Sequence, residues 1–456
     1  MKFINSSNDL SVYLDLKIVE DIPINNVSID TRTIKKESLF IAIKGDKFDG
    51  NNFVEEAFAR GASIAVVDNK KFLKTRKKNI IYVKNTINAL KKISENIIKK
   101  YEGNVIAITG SNGKTTTTNI IANSLNNTSK TLGNYNNEIG MPLSIINASP
   151  NSKNIVMEIG ASKIGDINYL SKILKPFVGV ITNIGNSHLE TLKNINGVLN
   201  VKSEIVSNIK KNGYLIVPNE NKKHLSYWKL IRSDINIITF GLARSADFFA
   251  SDIRNKKDGM HFKVSSKLID KDIQIKTSLE GEHNIKNILS SFAVHYCLDQ
   301  NLNTFASRLN SNKVKELRQI KSKWLKGSTL INDTYNANPD STKKSIDLLS
   351  KYKKNTVLLI GDMLELGKFK KKFHKEVGEY AKVKGINVVL GYGKLVKETI
   401  KVFGKKGIFF DNEDLLKDYL KKNITSKDVI LIKGSRGMKM ERFTNVRIFR
   451  NSACFS

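Results

Sequence analysis

A chain of 456 residues exceeds one compact core and leads to an expectation of about three domains, and an apolar fraction of 40 % leaves ample material to bury. The 76 basic and 43 acidic residues give a net charge of +33, but the lysines, such as Lys77-Lys78 and Lys370-Lys371-Lys372, are spread over every region beside many Asn and Ile, as AT-rich codon usage produces; this reads as solvated surface charge, part of it steering anionic substrates, and not as a nucleic-acid face. Cys297 and Cys454 are too few for a disulfide framework or a cysteine metal site, no apolar stretch approaches the ~18 residues that span a bilayer, and the residues after Met1 lack a signal pattern, so a cytoplasmic protein is expected.

Taken in chain order, the first segment covers about residues 1–102. Asn26–Asp30, Ser38–Ile43 and Ala62–Val67 read as strands, Val54–Arg60 as a short helix ended by Gly61, and Thr86–Tyr101 as a closing helix. The second segment, about 103–313, alternates strands at Val105–Thr109, Ile155–Met157, Val178–Thr182 and Tyr214–Val217 with helical stretches. That alternation predicts a mostly parallel sheet covered on both faces. The third, about 314–456, repeats it with strands near Thr329–Asn332, Thr356–Ile360, Asn387–Leu390 and Val429–Ile432. The fold class is therefore α/β, in three domains joined by short hinges.

The stretch VIAITGSNGKTTTT (105–118) is an apolar run broken by Gly110, Ser111, Asn112 and Gly113, then Lys114 and four threonines opening a helix. Glycines permit a tight turn with its N–H groups pointing inward, and the helix offers its positive N-terminus to an anion. Lys114 would reach the terminal phosphates of a nucleotide and Thr115 would ligate Mg²⁺. Ile108 stands where the usual P-loop has its first glycine, so the loop is a shortened variant.

Ligands bind outside the carboxyl ends of parallel strands, so polar residues following apolar runs are the candidates. Glu158 follows Ile155-Val156-Met157, and His188 lies on the loop TNIGNSHLE. Val201-Lys202-Ser203-Glu204 is expected to begin a helix, and Gly281-Glu-His-Asn284-Ile-Lys-Asn287 to start another whose amides could hold a nucleotide base. Each has an ordinary reading by itself: a surface acid, a solvated loop histidine, an exposed helix lysine. Together with the phosphate loop they fall where one sheet edge would gather them. A hard Mg²⁺ ion prefers oxygen, so unmodified Lys202 is a poor ligand and His188 an uncommon one.

In the third segment Asp333-Thr-Tyr-Asn-Ala-Asn-Pro339, Gly361-Asp-Met-Leu-Glu-Leu-Gly367 and Lys433-Gly-Ser-Arg436 each follow a strand. A capped helix start accounts for Pro339 and Asp340 but not for Tyr335, Asn336 and Asn338. Three polar turns on one sheet edge point to a second binding surface facing the nucleotide domain.

The ordered set SIDTRTI (28–34), LFIAIKGDKFDGNNF (39–53), TGSNGKTTT, NYNNEIGMP (134–142), MEIGASKIGDI, NIGNSHLE, GEHNIKN, DTYNANPDS, GDMLELG and KGSR resembles the Mur ligase family over nearly the whole chain. Within the family, NANP and GDMLELG favour the branch that adds D-alanyl-D-alanine over the branch that adds a diamino acid, whose Asp-Asn-Pro-Arg motif is missing here. The resemblance implies a UDP-substrate domain (1–102), a central P-loop ATPase domain (103–313) and a C-terminal Rossmann-like domain (314–456) that closes over the site. It implies an ATP-dependent amide ligase, a monomer without nucleic-acid partner or stable membrane insertion. Such an enzyme joins D-alanyl-D-alanine to UDP-N-acetylmuramoyl-tripeptide through an acyl phosphate, giving the UDP-pentapeptide for peptidoglycan precursor synthesis.

Carried over by matching position, Lys114 steadies the ATP phosphates within the loop Gly110, Ser111, Asn112, Gly113, Thr115 and Thr116. Thr115 and Glu158 would bind one Mg²⁺, and His188 would help bind a second. Lys202 matches a lysine that is carbamylated in several family members, which would turn it into an oxygen ligand. Lys114, Glu158, His188 and Lys202 thus form the implied catalytic set. Asn284 and Asn287 match the adenine-binding turn and Asp333 belongs with the ATP side. Tyr335, Asn336, Asn338 and Arg436 match the substrate-facing side of the closed C-terminal domain, and Ser28 and Arg32 the UDP-substrate element.

Two other classes remain open. Another amide ligase of the superfamily, such as the diamino-acid-adding enzyme or a folylpolyglutamate synthase, shares the chemistry; the SIDTRTI domain argues against the folate enzyme, whose P-loop usually begins the chain. A basic P-loop nucleic-acid-binding protein would show ATPase activity stimulated by DNA or RNA and salt-dependent binding.

Overall fold

Strands and helices alternate through residues 2–17, 20–74, 79–256, 258–311 and 320–446, the residues described in a computed structural model of the chain. Lys77, Lys78, Cys454 and the expected boundary between 313 and 314 lie outside the described residues. The first of three sheets holds β1 (Asn26–Ser28), β2 (Ser38–Ile41), β3 (Ala62–Val67) and β4 (Ile80–Tyr82), parallel and in sequence order.

The second sheet holds β5 (Asn104–Thr109), β6 (Thr128–Lys130), β7 (Asn154–Glu158), β8 (Val178–Ile181), β9 (Tyr214–Pro218), β10 (Asn236–Gly241), β11 (Phe248–Lys256), β12 (Gly259–Ser266) and β13 (Ile273–Thr277). Its order is β13-β12-β11-β10-β9-β8-β5-β7-β6, parallel from β6 through to β11 and antiparallel over the last two pairings. The third holds β14 (Ile320–Lys323), β15 (Thr329–Asp333), β16 (Asn355–Gly361), β17 (Val388–Tyr392), β18 (Gly407–Phe410) and β19 (Asp428–Lys433) in the order β14-β15-β19-β16-β17-β18, parallel except at β14.

Period-two alternation explains how each sheet is covered on both faces. In β5, Val105 and Ala107 enter one core while Ile106 and Ile108 enter the core on the opposite face. In β16, Leu358 and Ile360 are likewise separated from Val357 and Leu359. The helix Thr86–Lys100 is capped by Asn85, whose side chain accepts from the N–H of Asn88, and buries Leu90, Ile93 and Ile97 in the core shared by the first sheet and the central one. That shared core fixes the first unit against the second. No helix among the described residues is long and apolar enough to cross a membrane.

The expected strands form, several with ends shifted by a residue or two, so that Glu158 and Asp333 close β7 and β15 instead of following them. Two expectations are corrected. Asn338, which a capped helix start was expected to leave unexplained, is itself the cap of the helix Pro339–Leu349, its side chain accepting from the N–H of Ser341. Val201-Lys202-Ser203-Glu204 ends a helix and does not begin one: the helix runs Ile195–Ser203, capped by the Asn194 side chain on the N–H of Gly197. The Asn194 cap sets the start, so Lys202 falls in the last turn with Val198 and Val201 on the buried face. Cys297 ends the buried helix Glu282–Cys297, and burial holds its thiol well above the ordinary range, which makes it unreactive.

Candidate active site

β5 lies between β8 and β7, which places its carboxyl end at the crevice where strand order reverses. The phosphate loop leaves β5 there. Gly110 has φ +141°, and a Cβ would fall 2.0 Å from Thr182 Oγ1; Gly113, at φ +82°, would place one 2.5 Å from Asn287 Oδ1. Glycine is therefore required at both positions.

The segment after β8 clamps this loop from beneath. Asn112 N–H donates to Asn183 Oδ1 (3.0 Å), and the Asn112 carbonyl accepts from Thr182 Oγ1 (2.6 Å) and Asn183 Nδ2 (2.8 Å). Ser111 Oγ donates to the Gly185 carbonyl at 2.9 Å. Lys114 opens the helix Lys114–Ser124, and its ammonium folds back 2.8 Å onto the Gly110 carbonyl.

Glu158 is buried at the end of β7. Its carboxylate accepts from Thr115 Oγ1 and from Asn136 Nδ2, each at 2.8 Å. Thr115 and Glu158 thus offer neighbouring hard oxygens beside the helix N-terminus. No group of three or more His, Cys, Asp or Glu side chains is gathered into a metal cage among the described residues. The donor set fits Mg²⁺, which takes one or two protein oxygens and completes its shell with phosphates and water.

His188 lies at φ +52° ahead of the short helix Leu189–Leu192, and its Nδ1 donates to Glu365 Oε2 at 2.7 Å. Lys202 is fully buried. Burial and the Lys114 charge lower its pKa to about 7, opposed by Asp166, Glu204 and Glu158. Burial thus favours the neutral amine.

The C-terminal unit docks directly on the loop. Asn338 Nδ2 donates to Asn112 Oδ1 (2.9 Å), and Asp340 Oδ2 accepts from the N–H of Asn186 (2.8 Å). Two cavities flank the contact. The larger, about 950 Å³, is lined by Ser111, Asn112, Gly113, Lys114, Glu158 and His188, by Tyr335, Asn336, Asn338 and Arg436, and by Asn85 and Asn88 from the first unit. The smaller, about 550 Å³, is lined by Asn112, Gly113, Thr115, Thr116, Asn284, Asn287 and Asp333. Asn112 and Gly113 form a wall common to both.

Most of the residues singled out in the sequence thus meet around this loop. Ser28, whose hydroxyl bonds Thr33 Oγ1, and Arg32, paired to Asp30, lie outside both cavities, as does Lys202. Sequence reasoning missed Asn136, Thr182, Asn183, Asp340 and Glu365, and the part of Asn85 and Asn88. Asn85 had a local signal as a helix cap; the other partnerships join residues far apart in the chain.

Fold and site together define a three-unit α/β P-loop protein with a nucleotide-sized cavity beside a larger cleft. Family models match in order: the Mur ligase family catalytic domain at residues 23–99, the Mur ligase middle domain at 108–295, and the Mur ligase glutamate ligase domain at 318–436. The chain belongs to the Mur ligase family. It is 35 % identical to the UDP-N-acetylmuramoyl-tripeptide–D-alanyl-D-alanine ligase of Buchnera aphidicola subsp. Baizongia pistaciae, over 97 % of this chain and 96 % of that protein. Among solved structures it resembles MurF from Acinetobacter baumannii (26 % identity, 95 % of this chain and 96 % of that one, TM-score 0.84). It also resembles MurF ligase from Thermotoga maritima in complex with ADP (28 %, 93 % and 97 %, TM-score 0.80).

Proposed function

We propose that this chain is an ATP-dependent amide ligase joining D-alanyl-D-alanine to UDP-N-acetylmuramoyl-tripeptide. The observation that carries the reading is the phosphate loop standing as a common wall between the two cavities. That arrangement suits a γ-phosphate presented from the nucleotide side to a carboxylate on the other. A carboxylate oxygen of the tripeptide attacks the γ-phosphorus and ADP leaves, forming an acyl phosphate. The dipeptide amine then attacks the acyl carbon, loses a proton, and the phosphate leaves with the oxygen that had made the attack.

Positioning and charge neutralisation dominate phosphoryl transfer. Lys114 and the N–H groups of Gly110 to Thr116 hold the phosphates, Asn284 and Asn287 hold adenine, and Asp333 lines the nucleotide side. Thr115 and Glu158 would hold a Mg²⁺, which would supply neutralisation of phosphate charge, and His188 would help hold a second. A carbamate formed by addition of the neutral Lys202 amine to carbon dioxide, with loss of a proton, would supply oxygen ligands of the kind a hard cation takes. Tyr335, Asn336, Asn338 and Arg436 close over the acyl and amine substrates. Ser28 and Arg32 serve the UDP end, which then extends beyond the cleft over the first unit.

In this reading residues 1–102, 103–313 and 314–456 are the UDP-substrate, ATP and ligase domains of a monomer, and its ATP and UDP-linked substrates set it in the cytoplasm. The test is ADP release from ATP and Mg²⁺ with UDP-N-acetylmuramoyl-tripeptide, comparing D-alanyl-D-alanine with a diamino acid and, separately, a folate acceptor or nucleic acid. Release that requires the tripeptide and the dipeptide together is expected. Release with a diamino acid or folate instead would overturn the substrate assignment, and stimulation by nucleic acid alone would overturn the ligase.

A further inference from the structure

The turn GDMLELG is built more firmly than a connection requires. Asp362 is buried and accepts from the N–H groups of Lys394, Leu395 and Val396 at 2.8–2.9 Å. Met363 N–H donates to His374 Nε2 (3.0 Å) and Leu364 N–H to Ser435 Oγ (2.8 Å). These anchors fix the three residues 362–364 that lead into Glu365. What they present is Glu365, at φ +62°, with its carboxylate on His188 and its carbonyl accepting from the N–H of Glu190 at 3.1 Å. Gly367 seats against the same segment, where a Cβ would lie 2.9 Å from Glu190 Cα.

We propose that Glu365 is a positioning residue that couples docking of the C-terminal unit to the state of His188; the proposal rests on the ligase reading given above. An ionised carboxylate only accepts, so the hydrogen bond places a ring proton on Nδ1 and leaves Nε2 as the ring nitrogen that Glu365 does not engage. A carboxylate behind a histidine also fixes ring orientation, the usual arrangement behind metal-binding imidazoles. His188 lines the larger cleft beside Lys114 and Glu158. Docking therefore defines which ring nitrogen of His188 remains to the larger cleft. Undocking releases the ring.

The ring nitrogens of His188 report this directly. ¹⁵N spectra of the protein with ADP and UDP-tripeptide, without divalent cation, are expected to show Nδ1–H in the wild-type chain and in Glu365→Gln, whose amide oxygen still accepts. A mixture of tautomers is expected in Glu365→Ala. In ligation assays Glu365→Ala is expected to raise the Mg²⁺ concentration for half-maximal rate about tenfold or more, with Glu365→Gln between it and wild type. The same tautomer in all three proteins, or an unchanged Mg²⁺ requirement in Glu365→Ala, would overturn the proposal. Failure of the ligase reading would appear instead as a wild-type chain inactive with D-alanyl-D-alanine, whatever the spectra show.

Discussion

The Asn338 amide serves two elements at once: its oxygen caps the helix Pro339–Leu349 by accepting from the N–H of Ser341 at 2.8 Å, and its nitrogen donates to Asn112 Oδ1 at 2.9 Å. One side chain therefore starts a helix in the C-terminal unit and holds that unit against the phosphate loop. Asn338→Asp separates the two tasks, since a carboxylate still caps but sets acceptor against acceptor at Asn112. Unfolding stability is expected to stay within about 0.5 kcal/mol of wild type, while KM for ATP rises about tenfold, the equivalent of one lost hydrogen bond. Urea denaturation alongside steady-state kinetics checks both parts.

Lys114 makes its hydrogen bond to the Gly110 carbonyl within the loop and lines the larger cleft. Lys114→Ala is expected to lower kcat for ligation by at least about two orders of magnitude, the scale of removing one preorganised charge-stabilising group. The fold should survive, as seen by circular dichroism and an unchanged urea midpoint. Near-normal turnover in the folded variant would remove Lys114 from the phosphate site.

Asp333 and Lys433 form a buried ion pair at 2.6 Å; Lys433 also donates to the Asn336 carbonyl (3.0 Å), and Ser345 Oγ to Asp333 (2.6 Å). Removing one partner strands the other charge, so Lys433→Met is expected to destabilise the chain by about 3–5 kcal/mol. Pairing it with Asp333→Leu should restore part of that stability. A double-mutant cycle in urea measures the coupling, and a Lys433→Met variant as stable as wild type would contradict the burial argument.

His295 gives a pH signature away from the site. Its ring bonds Ser124 Oγ (3.0 Å) and the Ser291 carbonyl (2.8 Å) and stacks on Phe305, and burial lowers its pKa from 6.5 to about 4. Between those values the unfolded chain binds a proton that the folded chain refuses. Stability should therefore fall as pH drops from 6.5 toward 4, by on the order of 3 kcal/mol from this group, and its contribution should level off below. His295→Gln is expected to flatten that part of the profile in urea midpoints measured from pH 7.5 to 4. An unchanged slope would mean that other groups carry the acid sensitivity.

What was legible in the sequence was local. The strand-turn-helix at Val105–Thr118 announced itself because glycine spacing, apolar run and helix start occur within one stretch; Pro339 and Asp340 signalled a helix start in the same way, but Asn338, set apart from that start as a binding residue, is its cap. The antiparallel extension β11–β13 was also signalled, by buried Met260, Phe262 and Val264 alternating with half-buried His261 and Lys263, and went unread. Lys202 was assigned to the wrong end of its helix because the Asn194 cap upstream was overlooked. The pairings of Glu365 with His188 and of Asp340 with Asn186 join different units. No periodicity encodes them; only the packed fold does.

The most direct test of the account follows one oxygen. UDP-N-acetylmuramoyl-tripeptide carrying ¹⁸O in both oxygens of the reacting carboxylate is incubated with ATP, Mg²⁺, D-alanyl-D-alanine and the protein, and the masses of the nucleotide-linked product and the released phosphate are read. The expected result is a UDP-pentapeptide with one ¹⁸O transferred to phosphate for each turnover. Phosphate free of label, or a product lacking the dipeptide, would contradict it.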